Sequence, residues 1–136
     1  PRNGIPVIHG GLMIRPRDAA RFGLLFTPSY KKVASSRLVS ESFIKRISVI
    51  PSNLQFDKRK QSQNGKRFAH SAYQWDAVFS NSDYFKGGWA GQGILVNPQK
   101  DLVAVYTGYA IDDNESQPDL LPILRQLLNH IYPSAR

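Results

Sequence analysis

A glycine-rich run followed at once by an apolar run constrains this chain more than any other feature. Four of the seven residues from 87 to 93 are glycine, and residues 94–96 and 102–105 are apolar. This pattern predicts a β-hairpin over residues 84–105. Glycine weakens a strand and often marks a place where a ligand or another backbone comes close. Lys86 stands at the head of the run, where an anion-binding or proton-handling group could act.

The remaining pattern predicts an α+β fold in which helices flank an antiparallel β-sheet. Pro16 suits the first turn of a helix that stops at residues 27–29, and Ser40 suits the N-cap of a second helix that ends at residues 50–51. Residues 52–70 show little periodicity and are expected to form a long surface loop. Predicted strands follow at residues 73–79, 84–89, 91–97 and 102–109, and a third helix is expected from residue 117.

The third predicted helix carries an apolar stripe that is too large to leave in water. We expect this stripe to pack on the sheet, so that Leu124→Asp or Leu128→Asp would abolish soluble folding. We also expect the chain to leave an apolar edge exposed, so self-association is possible. The stripe comprises Leu120, Ile123, Leu124, Leu127, Leu128 and Ile131.

Composition excludes some kinds of site. The chain has 136 residues, 41% of them hydrophobic, and no apolar run of membrane-spanning length. It has no cysteine, and His9, His70 and His130 lack metal-ligand spacing, so we expect neither a metal site nor a cofactor. No signal peptide is visible at the start of the sequence.

The net charge of +8 is uneven along the chain. Residues 1–70 carry 14 Lys and Arg against 3 Asp and Glu, whereas residues 71–136 carry 4 against 7. The basic residues at 58–60 and 66–67 are compatible with a nucleic-acid patch, but no nucleic-acid motif accompanies them. We therefore predict a solvated loop and no nucleic-acid partner. An acidic partner surface would explain the positive excess equally well.

Three segments, in order, resemble the serine β-lactamase and penicillin-binding-protein-like hydrolases, in particular the class C β-lactamase-related family. Residues 10–25 are similar to that family's Gly-Gly-Leu…Asp-x-Ala-Arg-Phe-Gly segment, and residues 38–44 to the helix start that follows it. Residues 86–91 and 97–105 are similar to its Lys/His-Thr/Ser-Gly strand and the return strand. The resemblance implies acyl transfer of the esterase, amidase or D,D-peptidase type, on a small-molecule or peptide substrate. It also implies a periplasmic or exported protein.

The same resemblance assigns roles within the glycine-rich strand. Lys86 takes the basic position, Gly87 replaces the Thr or Ser, Gly88 is the matching glycine, and the backbone N–H of Trp89 is the expected oxyanion donor on an edge strand. Gly87 has no hydroxyl to bind a substrate carboxylate, which argues against β-lactam hydrolysis. The structural alternative is a solvated lysine at Lys86 followed by a bulge at the two glycines.

The family's Ser-x-x-Lys nucleophile pair belongs well before the segment at residues 10–25. The two such strings in this chain, at residues 29–32 and 42–45, lie after it, and two is an unremarkable number for a chain with this many Ser and Lys residues. The chain is therefore interpreted as the C-terminal part of a serine hydrolase, inactive alone, with the missing N-terminal part as its partner. Residues 1–70 and 71–136 together would form one incomplete domain. The alternative is a catalytically silent homologue that serves as a binding or scaffold module.

Four further side chains allow two interpretations each. Tyr73, Trp75 and Trp89 could form an aromatic rim around a ligand, but aromatic residues at strand spacing are more often core. Asp76 is either a surface residue or the partner of a nearby Arg or Lys.

Overall fold

A computed structural model describes residues 12–49, 68–88, 91–108 and 121–133 of the chain. In these ranges a five-stranded antiparallel sheet is accompanied by three α-helices and one 3₁₀ helix. The elements are α1 (Pro16–Leu24), the 3₁₀ helix (Pro28–Lys32), α2 (Glu41–Ser48), β1 (Phe68–Ala72), β2 (Trp75–Phe79), β3 (Tyr84–Gly88), β4 (Gln92–Asn97), β5 (Leu102–Tyr106) and α3 (Leu121–Ile131).

The sheet is a meander in which each strand pairs with the next, in the order β1-β2-β3-β4-β5. All four pairings are antiparallel, which confirms the predicted α+β class and the antiparallel sheet. The short connections explain this arrangement, because a tight turn can join only antiparallel neighbours. Strand β3, which carries Lys86, is therefore the central strand of the described sheet and not an edge strand as predicted.

The prediction was wrong at β1. Residues 68–70, assigned to a surface loop, begin a strand, and residues 73 and 74, assigned to the next strand, form the turn between β1 and β2. Tyr73 and Gln74 both have positive φ, 49° and 70°, as the tightest hairpin turns require. Neither residue type favours that conformation, so the sequence carries no turn signal there.

Helix boundaries follow local signals that the sequence shows plainly. Pro16 lies in the first turn of α1, where its missing N–H costs no hydrogen bond. The Ser40 hydroxyl caps α2 by accepting from the Phe43 N–H at 3.2 Å, as predicted. The predicted stop at residues 27–29 is instead the start of the 3₁₀ helix. Thr27 caps that helix, because its hydroxyl accepts from the Ser29 N–H at 3.2 Å.

Helices cover both faces of the sheet. On one face α1 and α2 enclose a core of large side chains, and on the other α3 covers a smaller one. Gly23 lets α1 lie directly on the sheet, since a Cβ there would fall 2.6 Å from Val103 Cγ1. The first core contains Phe26, Ile47, Trp75, Val78, Tyr84 and Val96, and the second contains Ala77, Phe79, Leu95 and Leu121, with Leu124 and Leu128 packed against them.

Only part of the predicted stripe on α3 meets the sheet. Leu121 is buried and Leu124 and Leu128 are half-buried, whereas Ile123 is 64% exposed and Leu127 is 53% exposed. Ile131 is also exposed, and Leu120 lies outside the described residues. The apolar residues of this helix cover more than one face, so the hydrophobic pattern alone does not select the buried one.

A buried ion pair determines which face of α3 packs on the sheet. Arg125 on α3 is 8% exposed, and its Nε donates to Asp83 Oδ2 at 2.9 Å. Asp83, in the turn between β2 and β3, also accepts from Asn97 Nδ2 at 2.7 Å and Asn81 Nδ2 at 2.9 Å. The Arg125 guanidinium lies 3.6 Å above the centre of the Phe79 ring. This side of α3 therefore faces the sheet, and the Ile123 side is turned away.

Substitutions on the two sides of α3 should differ sharply. Leu124→Asp places a charge against the second core and should lower the free energy of unfolding by about 3 kcal/mol or more. Leu127→Asp, one turn away on the exposed side, should cost about 0.5 kcal/mol. Urea unfolding of both variants measures this. Equal losses would contradict the assignment of the buried face.

Removing the arginine should be costlier still, because Asp83 would be left buried with its charge unpaired. Arg125→Met should cost about 3–5 kcal/mol, and adding Asp83→Asn should recover part of the loss. Arg21→Met is a suitable control. It breaks the exposed Arg21–Asp18 pair, of 2.8 Å, and should change the stability by at most about 1 kcal/mol.

Candidate functional site

Three of the predicted site residues, Lys86, Gly87 and Gly88, lie at the end of β3, where the register with β2 has ended and that with β4 continues. Toward β2 the register pairs Val78 with Tyr84 and Ala77 with Phe85. Toward β4 the pairing continues as far as Gly88 and Gln92. Residues 86–88 therefore pair with β4 on one side, and on the other side the Gly87 N–H donates to a side chain.

Asp76 of β2 occupies that local edge. Its Oδ1 accepts from Lys86 Nζ at 2.7 Å, and its Oδ2 accepts from the Gly87 N–H at 2.7 Å. One carboxylate thus binds the Lys86 ammonium and the backbone N–H of Gly87, which decides the open question about Asp76 in favour of a lysine partner. The two side chains are about half exposed, at 45% for Lys86 and 47% for Asp76, so solvent reaches the pair.

This geometry changes what Lys86 and Gly87 can do. The Lys86 ammonium forms an ion pair with the Asp76 carboxylate at 2.7 Å, so Asp76 offsets part of the positive charge that a substrate would otherwise meet. The Gly87 N–H already has an anionic acceptor, so it stabilises a developing oxyanion only if Asp76 moves away. Trp89, whose N–H was the predicted oxyanion donor, lies outside the described residues.

The glycines of the run have different structural roles. At Gly93 a Cβ would fall 2.6 Å from Tyr106 Cζ and 2.8 Å from Phe85 Cε2, so this glycine makes room for two aromatic rings of the protein itself. Gly91 adopts a φ of 86°, which favours glycine. A Cβ at Gly87 would lie 3.3 Å from Phe85 Cε1 and 3.4 Å from Asp76 Oδ2, and one at Gly88 would lie 3.2 Å from Gln92 Oε1. Neighbouring side chains, without any ligand, account for much of the pattern.

The aromatic residues proposed as a rim divide into core and surface. Trp75 is buried, with its ring edge-on to Phe26 at 5.3 Å between centroids. Tyr73 is 54% exposed in the β1–β2 turn, where it contacts the Phe43 ring at 5.0 Å. The core interpretation is therefore correct for Trp75.

Neither Ser-x-x-Lys string is arranged as a nucleophile. The Ser42 hydroxyl lies 3.0 Å from that of Ser40 at the α2 cap. The Ser29 hydroxyl donates to Asp101 Oδ2 at 2.7 Å, and the Ser29 N–H donates to Asp101 Oδ1 at 3.0 Å. These contacts join the 3₁₀ helix to the β4–β5 turn and are those of a structural tie.

Asp101 is a weaker base than an ordinary aspartate. Burial raises the pKa of its carboxyl, but hydrogen bonds from Ser29 and Thr27, together with the Lys32 ammonium, lower it by more, so the net pKa lies below its usual range. A carboxylate with a lowered pKa accepts a proton poorly. Activation of Ser29 by Asp101 is thereby disfavoured.

An open groove that sequence inspection missed lies on the α1 side of the molecule. Its volume is about 490 Å³, and Phe22 and Leu38, which are 50% and 69% exposed, contribute apolar surface to it. The remaining lining residues are Arg21, Leu25, Lys32 and Val33. None of residues 86–88 lines it, so the structure does not join this groove to the glycine-rich strand. Helical spacing of Phe22 and Leu25 was the signal available in the sequence.

Within the described ranges, no cluster brings together three His, Asp or Glu side chains that could hold a metal ion. His130 is exposed near the end of α3, while His9 and the side chain of His70 lie outside the description. Of the three described α-helices, none has the length and apolar character needed to cross a bilayer.

Comparison with known proteins identifies no relative of this chain. No protein-family profile, no curated protein and no solved structure matches the chain.

The Ser29–Asp101 tie should make stability depend on acid pH. Because folding lowers the Asp101 pKa, its contribution is complete above the unfolded value of about 3.9 and is lost as the pH falls through the lower folded value. Asp101→Asn should be less stable than the wild type near neutral pH, and the difference should shrink below about pH 4. Urea midpoints measured across this range test it, and asparagine suits the position because it tolerates the φ of 51°. A difference that is constant with pH would contradict the assignment.

Proposed function

We propose that this chain is the C-terminal part of a β-lactamase-related serine hydrolase. In this proposal it supplies the strand that lines one side of the substrate site, and the nucleophile comes from the missing N-terminal part of the same protein. The observation that carries the proposal is the ordered resemblance of residues 10–25, 38–44 and 84–105 to that family. Acyl transfer on an ester, an amide or a peptide is the chemistry it implies.

The placement of the Lys86-Gly87-Gly88 segment supports the proposal. A substrate carbonyl can reach backbone donors only where no neighbouring strand pairs with them. Residues 86–88 pair with β4 on one side, and on the other side the Gly87 N–H donates to the Asp76 side chain. Backbone donors fixed in this way cost little reorganisation during a reaction, and loss of one such donor typically slows acyl transfer by about 10²–10³-fold. For the segment to act in this way, Asp76 must release the Gly87 N–H.

Exposed apolar residues support a covering partner on the α1 side. Leu12 is 80% exposed and Met13 is 97% exposed, immediately before α1, and Phe22 and Leu38 are exposed at the groove beside that helix. Large apolar side chains left in water are typical of an interface when they lie on one surface. In the proposal, the missing N-terminal part covers it. Self-association of the isolated chain through the same surface is the competing outcome.

A second function is favoured by one specific observation. Asp76 engages both Lys86 and the Gly87 N–H at 2.7 Å, so neither donor is free to act on a substrate. A catalytically silent homologue that acts as a binding or scaffold module would keep the sheet and tolerate such a contact. The two functions differ in one requirement, because only the hydrolase needs a Ser-x-x-Lys pair upstream of residue 10.

The test compares the isolated chain with the parent polypeptide. The chain alone should show no burst and no turnover with a chromogenic ester or with nitrocefin, because Ser29 and Ser42 both serve structural contacts. The parent should contain an upstream Ser-x-x-Lys and hydrolyse the ester, with a rate that falls at least about tenfold in Lys86→Met.

Two results would contradict the proposal. A stoichiometric acyl adduct on Ser29 or Ser42 of the isolated chain, seen by mass spectrometry, would place the nucleophile within this sequence. A parent without an upstream Ser-x-x-Lys would support the silent homologue instead. Lys45→Met is the matched control for Lys86→Met, since it removes a lysine from the second chance string.

A further inference from the structure

Two donors at the end of β3 converge on a single carboxylate. Lys86 Nζ and the Gly87 N–H lie 2.7 Å from the two oxygens of Asp76, so each oxygen has its own donor. One donor is a cation on a side chain and the other is a backbone group fixed by the pairing of Gly87 with Gly93. Together they have the geometry of a binding site for a carboxylate.

We propose that Asp76 is a built-in occupant of this site and that it determines the charge of the ligands accepted there. With Asp76 in place, the Lys86 charge is neutralised and the Gly87 N–H is capped, so an external carboxylate finds a negative group where it would bind. The site therefore rejects anionic ligands while Asp76 is in place. Removing the Asp76 carboxylate converts the same two donors into a site for an external carboxylate.

The physical argument is one of competition. Asp76 is attached to a neighbouring strand, so its carboxylate is present at a high effective concentration and an external carboxylate competes poorly. The occupant also repels a second negative group at close range. Both effects disappear when the Asp76 carboxylate is removed. Because a hydrogen bond to a charged group is worth more than a neutral one, we expect affinity for a carboxylate to rise by roughly tenfold to a hundredfold.

Access to the donors does not require a rearrangement of the core. Lys86 and Asp76 are both about half exposed, and Gly88 is exposed and has no side chain to obstruct the approach. Substituting Asp76 therefore removes a surface group and leaves both cores intact. The inference concerns which ligand the site accepts, and it applies equally to the hydrolase and to the silent binding module.

The test uses acetate as the probe and acetamide as its neutral counterpart. The amide resonance of Gly87 is followed by nuclear magnetic resonance during titration of the full chain. In the wild type, acetate should give no saturable shift of Gly87. In Asp76→Ala, acetate should give a saturable shift with an affinity at least about tenfold higher, and acetamide should not. In Asp76→Ala with Lys86→Met, the acetate response should be lost.

Several outcomes would overturn the inference. Acetate affinity in Asp76→Ala equal to that of the wild type would show that Asp76 is not an occupant. If the double variant bound acetate as tightly as Asp76→Ala does, Lys86 would not be part of the site. If acetamide shifted Gly87 of Asp76→Ala as much as acetate does, the site would not select by charge. If Asp76→Ala does not fold, Asp76→Asn keeps the shape of the side chain without its charge and should still bind acetate better than the wild type. Because this test reads binding only, it can fail while the proposed hydrolase function stands, and the reverse also holds.

Discussion

The buried Arg125–Asp83 pair is the interaction on which the rest of the described structure depends. Asp83 lies in the turn that joins β2 to β3, and its backbone oxygen accepts from the Phe79 N–H at 2.9 Å to close that turn. Through Asn97 the same carboxylate holds the end of β4, and through Arg125 it holds α3. The β2–β3 turn, β4 and α3 are therefore all connected through Asp83. Desolvation offsets much of the attraction in an ion pair so deeply buried, so the loss caused by removing one partner exceeds what the intact pair adds to stability.

The same turn fixes the geometry of the candidate site. The register of β2 and β3 is set at the turn, and it carries through Val78–Tyr84 and Ala77–Phe85 to the neighbouring Asp76 and Lys86. A slip of one residue would send these side chains to opposite faces. The network around Asp83 is thus structurally remote from Lys86 but determines whether Asp76 can reach it.

Local signals in the sequence predicted much of the fold. Pro16, Ser40 and the residues 81–83 turn each act within a few residues of their own position, so the helix starts and the β2–β3 turn were predictable. The antiparallel sheet followed from alternating apolar residues and short connections. These features need no knowledge of which distant residues will meet.

Features that depend on distant pairing were not predictable. The buried face of α3 is selected by Arg125 meeting Asp83, 42 positions earlier in the chain. Hydropathy places an arginine on the solvent side, so the pattern favoured the wrong residues, Ile123 and Leu127. At the candidate site, sequence reasoning identified Lys86 and Gly87 and left Asp76 open, because only the register of two strands shows that its carboxylate faces both donors.

The contact between α1 and the sheet has a consequence for the order of assembly. Gly23 packs against Val103 of β5, and the tie from Ser29 to Asp101 closes 72 positions of sequence. At about 5–20 residues per second, a ribosome takes several seconds to reach β5 after completing α1. During that interval the apolar face of α1 has no sheet to cover it. Although α1 is made before the strands described here, it is thus among the last of these elements to be fully packed, and until β5 emerges its apolar face needs a cover other than the complete sheet.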